Sequence, residues 1–584
     1  MSFPLVKLKF SSIYKEESSM RVHIQSDVSA LSDVPQHWHA VHWRQVERNV
    51  KGVQMRIAKA TREGKWRKVK ALQRMLTRTL SAKLLAVKRV TENQGKRTAG
   101  VDGELWESPE TKWAAVSRMK RRGYRPLPLR RVYIPKANGK KRPLGIPTML
   151  DRAMQALYLL GLEPVSESTS DPNSYGFRRN RSTADAMSQL FVSLSKKASA
   201  PWVLEADIAG CFDNINHAWL SGNVPMDTTV LRKWLKSGLI YQGRFQETEA
   251  GTPQGGIISP TLANVTLNGL ETSLAEYLGT KYGWKAIKLK VNVVRYADDF
   301  VITGASKELL EQEIKPWVET FLAVRGLQLS EEKTRIVPMD HGFDFLGWNF
   351  RKYQGKLLIK PSKKNAQAFY RKAKEIISTH KAVKQKELID LLNPVLRGWA
   401  QYHSPVVAKA TYSRLENLLF RAIWRWSKRR HPNKNTAWIR AKYYHAIGDR
   451  SWVFAVPVVT DDGSQGLKEL YHLPGTTIKR HKKIKGAYNP FDPDWEMYGE
   501  QLGQERMLDN MRHRKQWIRM YVDQGGLCAL CEGRMTKTTG WHDHHIEYRV
   551  HGGSDALGNR VLLHPNCHAQ VHSSDLKVIK PAPM

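Results

Sequence analysis

The spacing of apolar positions divides the chain into segments that predict helices and segments that predict strands. Between Trp38 and Val90, apolar residues recur every three or four positions with Lys and Arg between them, which is the period of an amphipathic helix. Residues 291–294 and 300–302 instead form short runs dominated by β-branched residues, which predict strands, and residues 202–208 predict another strand. The segment 364–444 is rich in Trp, Arg and Lys and predicts three helices. Together these patterns indicate a multidomain α/β (α+β) protein.

Two adjacent acidic residues lie at the tip of a predicted β-hairpin. Asp298 and Asp299 stand between the apolar runs at 291–294 and 300–302, and a third acid, Asp207, lies at the end of the strand predicted at 202–208. A buried carboxylate costs several kcal/mol unless it is paired or bound to a metal. Adjacent strands would bring the three acids together, and such a cluster can hold two Mg²⁺ ions for nucleotidyl transfer. The alternative is that the Asp-Asp pair only forms a turn, where Asp is common.

The segments around these acids resemble those of a polymerase family. Tyr-Ala-Asp-Asp at 296–299, the strand that carries Asp207, and Gly251–Pro260 resemble reverse transcriptases, in particular the reverse transcriptase/maturase proteins encoded by group II introns. The resemblance implies a right-hand polymerase with fingers, palm and helical thumb that copies RNA into DNA with two Mg²⁺ ions. It implies that the metal ligands are Asp207, Asp298, Asp299 and the backbone carbonyl of Ile208.

The resemblance also implies how the incoming deoxynucleoside triphosphate is held. Phe212 stands where the family carries a bulky ring that excludes a 2′-hydroxyl, and Gln254 would lie near the nucleotide. Two short strands joined at Asn138-Gly139, a strong hairpin signal, carry Lys136 and Arg142. By chemistry alone these two cations could belong to an ordinary surface hairpin, but the resemblance implies that they fold over the triphosphate.

The composition points to a polyanionic partner. The chain of 584 residues has 94 Lys and Arg against 54 Asp and Glu, a formal net charge of +40. A membrane surface is the rival polyanion, but the sequence contains no apolar run of ~18 residues and no secretory signal pattern. Nineteen Trp interleaved with basic residues suit base stacking and phosphate pairing. We therefore expect a nucleic-acid-binding protein that has no membrane partner and is located inside the cell, in a bacterium or an organelle.

Several basic residues are candidate RNA contacts. Arg178 and Arg181 lie in a Gly/Arg-rich loop, and Lys428, Arg429 and Arg430 end a predicted helix of the segment that resembles the maturase thumb. The nearby Trp residues at helical spacing are more often core than stacking platforms. Residues 342–350 alternate aromatic and small residues and resemble the strand that holds the primer end; a buried core strand is the alternative, and the two interpretations are compatible.

Three of the four cysteines lie near the C-terminus in a pattern typical of a zinc site. Cys528 and Cys531 form a CxxC pair, and His564 and Cys567 form an HxxC pair downstream. Two such pairs predict a tetrahedral structural Zn²⁺ with Cys₃His ligands. A disulfide framework is a poor alternative in so large and Cys-poor a chain.

Histidines between and after these pairs resemble the HNH (ββα-metal) nuclease motif. The resemblance implies that His545 is the general base, that His544, His568 and His572 hold one divalent ion, and that Asn559 orients the base-bearing loop. His568 and His572 are four residues apart and would share one helix face. The sequence leaves open whether His544 or Asp543 is the metal ligand. A zinc-stapled DNA-binding module without cleavage is the alternative.

The order of these parts implies a group II intron-encoded protein. It would bind its intron RNA, assist splicing, nick target double-stranded DNA with the HNH domain and reverse transcribe the inserted intron. A splicing-only maturase with vestigial enzyme sites is the alternative, and a reverse transcriptase used in defence or diversity generation is a second; the oligomeric state is open. The expected domains are a poorly ordered leader (1–37), a basic helical extension of the fingers (38–100), fingers and palm (101–360), thumb or maturase domain (361–450), a DNA-binding linker (451–500) and the HNH domain (501–584).

Overall fold

The computed structural model describes residues 37–135, 139, 141–459, 465–511, 515–537, 539–548, 553–554, 556–574 and 576–581. The predicted leader, apart from its last residue, and Lys136 of the predicted nucleotide contact lie outside this set. No helix among the described residues is both long enough and apolar enough to span a membrane.

The N-terminal part is helical, as its apolar period predicts. Its helices are α1 (Trp43–Arg62), α2 (Trp66–Leu76), α3 (Leu80–Glu92) and α4 (Pro109–Arg118). Helices α1, α2 and α3 pack on α5 (Met149–Thr169), most of whose side chains are buried. The apolar positions Val46, Ile57 and Leu84 face this core, whereas Leu80 is exposed.

Among the described residues up to position 340, eight strands form two four-stranded sheets. They are β1 (Leu129–Pro135), β2 (Lys141–Ile146), β3 (Trp202–Asp207), β4 (Leu239–Tyr241), β5 (Arg244–Gln246), β6 (Val293–Tyr296), β7 (Asp299–Gly304) and β8 (Arg335–Pro338). One sheet has the order β2-β1-β4-β5 and contains the predicted basic hairpin; the other has the order β6-β7-β3-β8 and contains the acids. Both predicted hairpins are confirmed.

Helices separate and cover these strands. They are α6 (Thr183–Leu194), α7 (Cys211–Asn214), α8 (His217–Asn223), α9 (Thr228–Leu235), α10 (Ser259–Leu267), α11 (Leu270–Tyr282) and α12 (Lys315–Ala323). The acid-bearing sheet is buried on both faces. Leu204, Phe300 and Ile302 pack into a core shared with the N-terminal helices, while Val203 and Val301 pack into a second core shared with the thumb. Successive residues of a strand point to opposite faces, so each strand serves both cores.

The segment predicted as one aromatic strand at 342–350 is two strands. These are β9 (Phe343–Phe345) and β10 (Trp348–Tyr353), followed by β11 (Lys356–Pro361). Leu346 and Gly347 both have positive φ, 50° and 83°, and reverse the chain between β9 and β10. The single-strand prediction was wrong because the alternation of aromatic and small residues continues through the turn.

The thumb has four helices rather than the predicted three. They are α13 (Lys363–Thr379), α14 (Gln385–His403), α15 (Lys409–Arg430) and α16 (Thr436–Tyr443). The Asn435 side chain accepts a hydrogen bond from the Trp438 backbone N–H and caps α16, which separates it from α15.

The region predicted as a linker contains ordered structure. Strands β12 (Tyr444–Ile447), β13 (Arg450–Val459) and β14 (Gln465–Glu469) form a sheet that packs on the thumb helices. Farther along, His481 lies 2.8 Å from the buried Asp185 carboxylate, and Ile484 is buried. The prediction of a linker was wrong for these residues because they complete the second core rather than joining domains. DNA binding by this region remains a prediction.

The C-terminal part is a small domain with its own core. It comprises α17 (Glu496–Met511), α18 (Lys515–Asp523), β15 (His542–His545), β16 (Arg560–Leu563) and α19 (Pro565–Ser574). The antiparallel pair β15-β16 followed by α19 is the ββα arrangement that the resemblance implies.

Candidate active sites

Strand pairing brings the three predicted polymerase acids together. β3 and β7 are antiparallel neighbours, and their register sets Asp207 directly opposite Asp299. Asp298 lies in the two-residue turn between β6 and β7, where Ala297 has a φ of 60°. A Cβ on Gly176 would lie 2.2 Å from the Ala297 backbone nitrogen, so only glycine permits this close approach to the turn.

A buried arginine supports the same turn from behind. Arg295 is 2% exposed, and its guanidinium donates hydrogen bonds to the carbonyl of Ala297 at 3.1 Å and to Asn264 Oδ1 at 3.2 Å. Its backbone pairs with the loop before Gly176, since its carbonyl accepts from the Tyr175 N–H at 2.9 Å. The turn that presents the acids is therefore held by residues from three separate segments.

The carboxyl groups crowd one another. Desolvation raises the pKa of Asp299 to about 7, with further contributions from a hydrogen bond to Asp207 and from the charge of Asp298. Desolvation also raises the pKa of Asp298. Without a cation, these carboxyl groups resist ionisation because they are desolvated and lie beside one another. A divalent cation would stabilise their ionised forms. The donor set therefore fits Mg²⁺.

Lys333 also belongs to this site. Its Nζ lies 2.6 Å from Asp207 Oδ2, and that ion pair raises the pKa of the lysine. The sequence reasoning missed Lys333 because it precedes β8, far along the chain from the acids. Its position next to a strand that pairs with β3 could have identified it.

Mg²⁺ binding is expected to depend on pH near neutrality. The folded pKa of Asp299 is about 7, raised above its ordinary value, so this carboxyl holds a proton below that pH. Binding a cation must release the proton, and the apparent affinity should fall roughly tenfold per pH unit below about 7. Calorimetric titration of Mg²⁺ between pH 6 and 8, with primer and RNA template present, measures this slope.

The matched control for that titration is Asp299→Asn. The amide carries no titratable proton, so its weaker Mg²⁺ affinity should be independent of pH in this range. A wild-type affinity that stays constant between pH 6 and 7 would contradict the proton-linked binding.

The predicted nucleotide contacts form a connected row. Arg142 Nε donates to Gln254 Oε1 at 3.1 Å, and Gln254 Nε2 donates to Asp213 Oδ2 at 2.9 Å. Phe212, beside Asp213 in α7, packs edge-to-face on the exposed Phe177 at 6.1 Å between ring centroids. Ile208 is buried and directly follows Asp207. The hydrogen-bonded row joins the basic hairpin to α7, the short helix that follows β3 in the chain.

Two predicted RNA contacts are structural residues instead. The Arg178 side chain is 3% exposed and forms an ion pair with Glu167 at 2.7 Å. Arg181 is buried and donates to the backbone carbonyls of Pro172, Gly486 and Tyr488. Both guanidinium groups are directed into the protein, so the prediction that they contact RNA was wrong.

The basic end of α15 is divided between two roles. Arg430 donates to the carbonyls of Lys381 and Val383 and covers the Trp426 ring, so it packs the thumb. Lys428 and Arg429 are exposed. These two remain predicted phosphate contacts.

The four predicted zinc ligands converge. Ligand atoms of Cys528, Cys531, His564 and Cys567 all lie within 4.8 Å of one another. Hydrogen bonds from Cys531 and then Cys567 hold the pKa of the Cys528 thiol well below its usual range, which favours the thiolate that binds metal. His564 Nε2 lies 3.3 Å from the Arg534 carbonyl, which leaves Nδ1 facing the sulfurs. The set fits a structural zinc ion.

A second cluster joins three histidines of the ββα unit. Ligand atoms of His544, His568 and His572 lie within 4.8 Å of one another. Burial and the neighbouring His572 lower the pKa of His568 to about 4, and burial lowers that of His544, so both rings are neutral near pH 7 and have lone pairs for a metal. The residues therefore fit a divalent ion.

His544, and not Asp543, lies with the other two histidines of the cluster. Adjacent residues of β15 point to opposite faces, and His544 is the one that faces α19. Asp543 accepts a hydrogen bond from Trp517 Nε1 at 2.9 Å and forms an ion pair with Arg560. On the face of β15 opposite the histidine cluster, Asp543 therefore links the strand to Trp517 and Arg560.

Asn559 holds the chain that follows His545. Its Oδ1 accepts from the Glu547 N–H at 2.8 Å, and its Nδ2 donates to the carbonyls of Glu547 and Ser554 at 3.0 and 2.8 Å. His545 lies next to the metal-cluster residue His544, opposite Arg560. This arrangement suits the predicted orienting role of Asn559.

Comparison with known proteins agrees with this order of parts. Family profiles match residues 38–119 as the N-terminal domain of reverse transcriptase, 134–350 as reverse transcriptase (RNA-dependent DNA polymerase), 366–444 as the group II intron, maturase-specific domain, and 528–574 as HNH endonuclease. Protein YkfC of Escherichia coli K12 is 35% identical over 47% of this chain and 82% of its own length. The group II intron-encoded protein LtrA of Lactococcus lactis is 31% identical over 46% of this chain and 54% of its own. The chain belongs to the group II intron-encoded reverse transcriptase/maturase family.

Other relatives of this intron-encoded protein are similar over longer stretches. Maturase-like protein 1 of Euglena gracilis is 25% identical over 62% of this chain and 76% of its own length. Among solved structures, telomerase from Candida albicans in complex with a telomeric RNA fragment has a TM-score of 0.30 at 12% identity, covering 55% of this chain and 64% of that one. That likeness is too distant to support an argument.

Proposed function

We propose that this protein reverse transcribes its bound intron RNA at a DNA target that its own HNH domain nicks, and that it assists splicing of the same RNA. One observation carries the proposal: the same chain assembles an acid cluster at the palm hairpin and a histidine cluster in the ββα unit. A nuclease that exposes a primer end is thereby tethered to a polymerase that can extend it. The RNA would be copied where the intron has been inserted into the other strand.

At the polymerase site, the chain's residues would position primer and nucleotide. Two bound Mg²⁺ ions would offset the charge that develops on the transferred phosphoryl group. Asp207, Asp298 and Asp299, with the Ile208 carbonyl, would hold the two ions in place. Arg142, together with Lys136, would bind the triphosphate of the deoxynucleotide, Gln254 would lie near the nucleotide, and Phe212 would exclude a 2′-hydroxyl.

At the HNH site, His545 would accept a proton from the water that attacks the DNA phosphate. A divalent ion held by His544, His568 and His572 would stabilise charge on the leaving oxygen. Asn559 would keep the loop after His545 in its productive path. The structural zinc at Cys528, Cys531, His564 and Cys567 would hold the small core together.

RNA binding is expected to depend on the exposed cations that end α15. Charge reversal of Lys428 and Arg429 to Glu should weaken binding to the intron RNA and flatten its salt dependence. Each lost phosphate contact lowers the slope of log affinity against log salt by about one unit. Filter binding across a salt series measures both effects.

The chain offers a matched control for this pair. Lys196 and Lys197 are adjacent and exposed, they follow α6 and lie outside the thumb helices, and their reversal to Glu changes the net charge by the same amount. If that variant flattens the slope as much as Lys428→Glu/Arg429→Glu does, the effect is one of overall charge and the specific contact is refuted.

The whole proposal is tested by reconstitution with an intron RNA and a target DNA. Spliced RNA, a nick in the strand opposite the insertion and cDNA that begins at that nick are the three expected products. Splicing without nick or cDNA would overturn the retrohoming function and leave the splicing-only maturase.

A further inference from the structure

An aromatic groove on the thumb has the chemistry of a nucleobase site. It lies between α15, strands β12 and β13, and residues 470–474, and it has a volume of about 320 Å³. Phe420 of α15, Tyr444 of β12 and Trp452 of β13 are among its lining residues. No residue of this groove was among the candidate sites read from the sequence.

The rings at the groove form a preformed platform. The Trp452 ring centroid lies 5.8 Å from that of Tyr444, 6.2 Å from that of Phe420 and 5.7 Å from that of Trp424. Even so, Trp452 remains 38% exposed. A large ring that is fixed by three neighbours yet open to solvent can stack on a base at little cost in side-chain entropy.

Cations flank this platform. The Arg440 guanidinium lies 4.6 Å from the Trp452 ring centroid, and Lys428 Nζ lies 5.4 Å from that of Trp424. Glu416 of the groove lies 2.7 Å from His472, and the neighbouring Glu469 is ion-paired with Arg450 at 2.7 Å. Arg440, Lys428 and Arg450 together outnumber these two carboxylates, and the excess positive charge complements a phosphodiester backbone.

We propose that this groove stacks one unpaired base of the bound RNA on Trp452, with Arg440 and Lys428 at the flanking phosphates. RNA is the favoured source because the groove includes residues of the segment that matches the maturase-specific domain. Sequence-specific RNA recognition uses bases that are splayed out and stacked on aromatic side chains. The inference rests on the proposed function and deepens it by naming how a single-stranded part of the intron is held.

The test uses a twelve-nucleotide single-stranded RNA with a central 2-aminopurine, whose fluorescence is quenched on stacking. Wild-type full-length protein should quench it, and Trp452→Ala should bind roughly 5- to 150-fold more weakly, the range for loss of one stacked base. Trp452→Phe should restore most of the binding and the quenching. Arg440→Gln should bind more weakly and reduce the salt slope by about one unit, whereas Trp452→Ala should leave the slope unchanged.

Trp438→Ala is the matched control. Trp438 is in the same domain, has a similar exposure of 36% and also lies beside lysines, but it does not line the groove. Equal loss of binding in Trp438→Ala and Trp452→Ala would overturn the proposal, as would quenching that survives Trp452→Ala. Tighter binding of a DNA strand of the same sequence, or displacement of the RNA by an aromatic peptide at equal concentration, would overturn RNA as the occupant.

Experiments can refute the base-stacking role of the groove and the proposed function of the protein separately. Wild-type protein that does not bind structured intron RNA would refute the function from which the groove's role follows. Tight wild-type binding that is weakened by Lys428→Glu/Arg429→Glu but not by Trp452→Ala or Arg440→Gln would refute the groove alone.

Discussion

Asp298→Ala is expected to lower primer extension on an RNA template by roughly 1000-fold or more, because it removes a carboxylate from the acid cluster. Metal-assisted charge stabilisation contributes several kcal/mol to such reactions, and about 4 kcal/mol corresponds to that factor. RNA binding and splicing should remain within a few-fold of wild type, since the cations that end α15 are in the thumb. The measurement is extension from a supplied DNA primer with Mg²⁺, alongside filter binding and splicing of the intron RNA.

The same substitution should not destabilise the fold. Desolvation and neighbouring carboxylates raise the pKa values of Asp298 and Asp299, so removing one acid relieves repulsion in the metal-free protein. The unfolding temperature should therefore stay the same or rise. Asp340→Ala, at an exposed turn before β9, is the matched control and should extend primers normally. If splicing is lost together with extension, the cluster has a structural role.

His545→Ala is expected to slow DNA nicking by about 100- to 10,000-fold, the usual range for loss of a general base. The metal cluster of His544, His568 and His572 and the zinc set stay intact, so the domain should keep its metal content. cDNA synthesis from a supplied primer should be unaffected because the acids lie in a separate core. The measurement is the rate of strand-specific nicking on labelled target DNA.

Added imidazole separates a chemical role of His545 from a structural one. A small base can enter the space left by the side chain and accept the proton, so nicking by His545→Ala should recover in proportion to neutral imidazole. Nicking that persists in the variant without imidazole would refute the assignment of the base. Loss of zinc from the variant would show that His545 supports the fold.

Local sequence patterns were sufficient to predict the candidate site residues wherever these residues lie a few positions apart in the chain. Asp298 lies in a two-residue turn and Asp299 begins the strand that follows it, and the CxxC, HxxC and i,i+4 histidine spacings fix the ligands on one turn or one helix face. Such groups are placed by backbone geometry that the sequence encodes directly. The helical N-terminal region was predictable for the same reason.

The interaction partners of individual Arg and Lys side chains could not be predicted from the sequence. Arg178 and Arg181 sit in a loop that reads as a phosphate-binding segment, but Glu167 and the backbone of residues 486–488 reach them from elsewhere in the chain. Lys333 is the opposite case, because it was not predicted as a site residue but lies beside Asp207. The pairing of β8 with β3 brings it there. The partner of a charged side chain is set by packing, which a local pattern does not contain.

The sequence by itself determined the order of the parts, the acid-bearing hairpin and both sets of metal-binding spacings. Only the tertiary structure decided that Asp207 faces Asp299, that His544 rather than Asp543 joins the histidine cluster, and that β12, β13 and β14 complete the thumb. It also formed the groove at Trp452 from a helix and a sheet that are separate in the chain. Spacing along one element is fixed by its own period, whereas contacts between elements depend on strand register and on which faces are buried together.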